Sequence, residues 1–107
     1  MAYKLTKEIS DIIHQYNEAL VKDGILVKDI LVFGSHAKGT QKPWSDIDVA
    51  VISPLFGKDT LKERNRLMRL RRRVSTSIEP HPLHPEDLEN KWSTLAQEIK
   101  KYGISID

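Results

Sequence analysis

Leu31-Val32-Phe33-Gly34-Ser35, followed ten residues later by Ser45-Asp46-Ile47-Asp48-Val49, is the stretch that decides the fold. The first apolar run ends in Gly-Ser, and the second carries two aspartates two residues apart. In a strand, residues i and i+2 share a face, about 6.6 Å apart at roughly 3.3 Å per residue. Asp46 and Asp48 therefore point one way while Ile47 and Val49 point the other. Two carboxylates on one face of a rigid strand can share divalent cations, which take oxygen ligands. Gly34-Ser35 offers closely spaced backbone N–H groups to a phosphate. The combination implies nucleotide chemistry assisted by metal.

Upstream, Leu5, Ile9, Ile12, Ile13, Tyr16, Ala19 and Leu20 recur at helical spacing, and Gly24 stands where such a helix would be capped. The second half of residues 25–33 is a predicted strand and residues 34–39 a turn. Pro43-Trp44 keeps the next loop extended, and a second strand covers residues 46–52 up to Ser53-Pro54. Asp59 or Thr60 can cap a helix reaching about Arg73.

Val74, Thr76 and Ile78 alternate with Ser75, Ser77 and Glu79, which predicts a third strand with Glu79 on its polar face. Pro80, Pro82 and Pro85 argue against regular structure beyond it, apart from a short turn over residues 85–90. Residues 93–102 form a last helix, closed by Gly103 and a tail. The order α, β, β, α, β, α predicts one domain over residues 1–107. Its class is α/β (α+β): a short mixed sheet with helices mainly on one face.

Composition narrows the setting. The chain has 107 residues, 39% of them apolar and 30% charged, which suits a folded domain with a modest core. It has no cysteine, so disulfides and thiolate metal sites are excluded and a reducing, cytoplasmic setting is expected. Met1-Ala2-Tyr3-Lys4-Leu5 lacks an apolar leader core, and no run reaches the ~18 apolar residues of a membrane span.

Net charge is +2, yet all six arginines fall between Arg64 and Arg73. Lys62, Arg66, Arg69 and Arg73 form one helical stripe; Leu67, Leu70 and Val74 form another. The basic stripe reads as a solvated face or a docking surface for an acidic partner. Nucleic-acid binding ranks below both, because no aromatic residues interleave to stack bases.

Two carboxylates leave a two-metal site incomplete. Such sites hold their ions about 3.5–4 Å apart and clamp the attacking and leaving oxygens. Glu79 is the carboxylate on the third strand. If that strand lies beside residues 46–52, Glu79 faces Asp46 and Asp48, binds a metal and takes a proton from an attacking hydroxyl. Three clustered carboxylates repel one another, so bound cations should stabilise the fold.

Gly34-Ser35-His36-Ala37-Lys38-Gly39 with Ser45-Asp46-Ile47-Asp48 resembles the signature of the polymerase-β-like nucleotidyltransferases, and most of all their minimal group. Ile78-Glu79-Pro80-His81-Pro82 is similar to a form of the group's third acidic motif, and Tyr102-Gly103-Ile104 to its usual ending. Lys38 departs from the arginine common there, keeping charge but losing the bidentate fork.

The resemblance implies AMP transfer from ATP, or from another nucleoside triphosphate, with Mg²⁺ and two ions expected. Asp46, Asp48 and Glu79 would be the catalytic and metal-binding residues; Gly34, Ser35, Lys38 and Ser45 would hold the nucleotide. It also implies a HEPN-family helical toxin as partner, modified on a hydroxyl by this chain as its antitoxin. Larger relatives close a helical domain over the base; here the pocket is expected to be open or completed by another subunit in an oligomer. A non-catalytic antitoxin and transfer to a small molecule such as an aminoglycoside are the alternatives.

The remaining residues carry weaker signals. His81 and His84 flank Pro82, but without a cysteine or a close third histidine a zinc site is not favoured. His81 is a candidate substrate contact, His36 an exposed residue or a phosphate contact, and His14 a helix-edge residue. Trp44, Phe56 and Trp92 read as core caps or as contacts for a base or partner.

Overall fold

The computed structural model describes residues 4–106. Residues 1–3, part of the stretch read for a leader, and residue 107 lie outside the described residues. α1 (Lys7–Lys22) begins where the Thr6 hydroxyl accepts the Ile9 N–H at 3.3 Å. Its apolar stripe buries Ile13, Tyr16, Ala19 and Leu20. β1 (Asp29–Phe33) leads through α2 (Ser35–Lys38) to β2 (Ile47–Ile52), which runs antiparallel to β1. α3 (Thr60–Arg71), capped by Asp59, then crosses to β3 (Ile78–Leu83), which lies parallel to β2. A 3₁₀ turn (Pro85–Glu89), α4 (Thr94–Tyr102) and β4 (Ile104–Ser105) complete the chain, and the sheet order is β3-β2-β1-β4.

The two long helices share one face of this mixed sheet. Ile13, Tyr16 and Leu20 of α1 and Leu67 and Leu70 of α3 pack on Val32, Val49, Val51 and Ile78. On the other face Ile99 of α4 meets Phe33, Ala50 and Ile52, with Leu83, Leu88 and Leu95 around them. Coverage on both sides explains why β2 is nearly all apolar: five of its six residues are buried, and Asp48 is the exception. Strand alternation puts Asp48 on the α4 side.

Three sequence expectations are corrected. The third strand starts at Ile78, not Val74; the segment between α3 and β3 is a turn fastened by the Arg71 guanidinium, which donates to the carbonyls of Thr76 (3.0 Å) and Ile78 (2.8 Å). Pro80 and Pro82 lie inside β3 rather than ending it. The ladder explains how. Ile47 N–H donates to Ser77 and Ser53 N–H to Leu83, so odd-numbered residues of β3 turn their peptide groups towards β2. The two proline nitrogens then point to the open edge, where no donor is needed. Finally, the tail contains β4, paired with β1 through Leu31–Ser105 and Val32–Ile104.

The basic helix is partly structural. Arg66 donates to the Asp23 carboxylate at 2.7 Å and also to the Asp23 carbonyl, and Arg71 fastens the turn to β3. The Arg66 hydrogen bond holds the Asp23 carboxyl below its ordinary range. Among the described residues, no helix is long and apolar enough to cross a membrane.

Candidate active site

Register builds the site. In the parallel β2–β3 pair, Asp48 stands directly opposite Glu79, and Asp48 is also opposite Phe33 in β1. His81, two residues beyond Glu79, shares its face. One donor atom each from Asp48, Glu79 and His81 lie within 4.8 Å of one another. His81 Nε2 is 3.5 Å from Asp48 Oδ1, and its ring rests on Phe33 with centroids 5.2 Å apart. Glu79 is held only loosely, 3.9 Å from the Arg64 guanidinium, with both groups partly in solvent.

Gly34 forms the wall behind Asp48. Its backbone takes φ +71° and ψ −151°, a region that side-chain-bearing residues avoid. A Cβ there would sit 2.2 Å from Asp48 Oδ2. Glycine thus lets the chain leave β1, pass directly over the carboxylate and enter α2 at Ser35. The turn is closed by the Gly34 carbonyl, which accepts from Ala37 and Lys38 N–H at 3.1 Å each.

The other predicted residues are distributed around this centre. Asp46 is exposed, one residue ahead of β2, and lies outside the 4.8 Å cluster. Ser45 stabilises the preceding loop: its hydroxyl accepts from Lys42 N–H at 2.8 Å. Lys38 pairs with Glu98 at 2.8 Å and stands 4.9 Å over the Tyr102 ring. The Glu98 hydrogen bond raises the Lys38 pKa, so the ammonium stays charged.

His36 is buried, which corrects the exposed reading; its Nε2–H donates to the Ser45 carbonyl at 3.3 Å and ties α2 to the loop that delivers Asp46. Trp44 and Trp92 are 78% and 87% exposed, whereas Phe56 is a core residue. His81, read from the sequence as a candidate substrate contact, stands beside Asp48 and Glu79. Its signal was the two-residue spacing from Glu79, hidden by the prolines on either side.

Residues 13–105 match the family model described as "Nucleotidyltransferase domain". The chain belongs to that family. A curated relative of this nucleotidyltransferase domain, from Methanocaldococcus jannaschii and named "Putative protein adenylyltransferase", is 44% identical over 48 residues. That match covers 45% of this chain and 55% of the relative, so the chain spans about half the length of the protein it matches.

Two solved structures share the fold. A crystal structure described as "a putative nucleotidyltransferase from Sulfolobus solfataricus" aligns with a TM-score of 0.63 at 16% identity, covering 92% of this chain and 78% of its own. Another, described as "the toxin-antitoxin with AMP-PNP", aligns at 0.56 with 21% identity, covering 92% and 72%. At these identities both are likenesses of fold.

Proposed function

We propose that this nucleotidyltransferase domain, a single unit over residues 1–107, transfers AMP from ATP to a hydroxyl of a partner protein: the hydroxyl oxygen bonds to the α-phosphorus, the bond to the β-phosphate breaks, and pyrophosphate leaves. In this reading it is the antitoxin of a HEPN-type toxin–antitoxin pair. The observation that carries the proposal is the register of Asp48 against Glu79 beneath the Gly34 turn. It sets two carboxylates side by side next to a Gly-Ser turn, an arrangement that supports nucleotidyl transfer.

The donor set fits a hard divalent cation: carboxylate oxygens on adjacent strands, half-open to solvent. Asp48 and Glu79 would hold the metal, with Asp46 joining from the exposed end of the loop. Bound Mg²⁺, two ions in full occupancy, would neutralise the triphosphate and polarise the α-phosphate of the transferred AMP.

The chain's own residues supply position and proton transfer. Gly34 permits close approach of phosphate oxygens, and Ser35 and Ser45 border the approach. Lys38 contributes a fixed positive charge, oriented by Glu98 and Tyr102. Glu79, loosely tethered by Arg64, takes the proton of the attacking hydroxyl. The chemistry is mostly positioning and charge neutralisation, which a small domain can perform.

The relative's name supports a protein acceptor, and the fold shared with a toxin–antitoxin structure supports a partner protein. The half-exposed carboxylates leave the site accessible to a second protein.

Mass spectrometry of a co-expressed partner with ATP and Mg²⁺ tests this. The expected result is an AMP adduct on the partner that disappears in Asp46→Ala and Asp48→Ala. If the partner stays inhibited in both variants with no adduct, the chain is a binding antitoxin and the enzymatic reading is wrong.

A further inference from the structure

His81 is unexplained by a site made of carboxylates alone. Its Nε2 is buried and has no hydrogen-bond partner, although it faces Asp48 Oδ1 at 3.5 Å. A buried polar atom left unpaired is costly, and such an atom aimed at a carboxylate asks for a shared third body. The ring is held in place by β3 on one side and Phe33 on the other, so the nitrogen is presented by a rigid mount rather than a mobile loop.

The spacing suits coordination. Ligand bonds of about 2.0–2.3 Å put two donors on one cation about 3–4.5 Å apart, from cis to trans. The Asp48–His81 separation falls within this range. The three donors together need only a few tenths of an ångström of adjustment from their 4.8 Å limit.

We propose that His81 Nε2 is a protein ligand, beside Asp48 and Glu79, of the divalent cation at this site, and that its nitrogen shifts the site's preference from Mg²⁺ towards Mn²⁺ and the later first-row ions. The inference rests on the metal-binding reading given above. Its chemical basis is that imidazole is a good ligand for transition metals, whereas Mg²⁺ favours oxygen. The neutral ring coordinates through Nε2 with its proton on Nδ1. The Asp48–His81 contact then becomes a pair of ligands on one ion rather than an ion pair.

The test is Mn²⁺ binding to tag-free protein without nucleotide, followed by electron paramagnetic resonance and calorimetry, with Mg²⁺ measured by competition. Wild type should bind Mn²⁺ with a spin-echo modulation from a directly coordinated ¹⁴N. His81→Phe keeps the ring packing on Phe33 and removes the nitrogen. It should lose that modulation and bind Mn²⁺ about 10-fold or more weakly, while Mg²⁺ affinity changes little. His81→Gln, with circular dichroism on both variants, guards against a folding effect.

Two results overturn the proposal in distinguishable ways. If Asp48→Asn abolishes Mn²⁺ binding but both His81 variants bind as wild type, His81 is not a ligand and the carboxylate site stands. If wild type binds neither ion at millimolar concentration, the metal-binding reading itself falls.

Discussion

At the residue scale, the decisive contact is between one missing side chain and one carboxylate. Gly34 occupies a backbone region closed to other residues, and its Cα hydrogen faces Asp48 where a methyl would overlap Oδ2. Gly34→Ala is therefore expected to act twice. Backbone strain should lower stability by about 1–3 kcal/mol, read from urea unfolding midpoints. The displaced Asp48 carboxylate should also weaken divalent-cation binding, read by calorimetry under conditions where the variant is folded. An unchanged cation affinity would separate Gly34 from the site and leave it a turn residue only.

A second residue gives a pH signature. Burial pushes the Glu63 carboxyl up, but the N–H groups of Gly57, Asp59 and Lys58 outweigh it and hold the group below its ordinary range. A folded-state pKa below the unfolded one contributes stability above the unfolded value, about 4.3, and loses it as pH falls through the folded value. Glu63→Gln should accordingly be less stable than wild type at pH 7, with the gap narrowing in acid. Melting curves from pH 3 to 7 measure it; parallel curves would remove Glu63 from the acid response.

At the element scale, β1 and β2 were legible because buried central strands write themselves as apolar runs, and the lone break in β2 is Asp48. The proline-bearing β3 was harder to read. A proline rule applied to single residues forbids a strand, whereas the rule that matters concerns where each nitrogen points. Pro80 and Pro82 fall on the outward phase of an edge strand, a fact of tertiary register that no local window contains. Two-residue β4 is too short for any periodicity, and His36 gave no sign of burial because its partner is a backbone carbonyl nine residues away.

The return to β4 depends on Gly103. A Cβ there would lie 2.4 Å from the Ile99 carbonyl and 3.2 Å from Leu31 Cδ2. Gly103→Ala should force α4 away from β1 and cost about 1–3 kcal/mol, as overpacking does in other cores. Hydrogen exchange should show the loss first at Val32 and Ile104, the opposed residues whose peptide groups face each other across β1 and β4. Wild-type protection at those amides would mean that α4 and β4 adjust without strain.

At the scale of the whole molecule, the site is a charge problem set into the open end of a well-packed sheet. Asp48 and Glu79 face each other across adjacent strands, and the neighbouring cations Lys38 and Arg64 are turned towards Glu98 and only loosely towards Glu79. Such a pair gains more from a bound divalent cation than from any side chain within reach. A ligand that binds only the folded state stabilises it by RT ln(1 + [L]/Kd), about 1.4 kcal/mol at ten times Kd. In a domain of this size that corresponds to a rise in Tm of about 6–11 °C. Wild type with Mn²⁺ or Mg²⁺ should show this concentration-dependent shift. Asp48→Asn should fold with an apo Tm near that of wild type, because its isosteric amide keeps the packing under Gly34, yet show no shift. A variant that still shifts would place the cation elsewhere on the molecule, and a wild type that does not shift would leave the opposed carboxylates without their expected occupant.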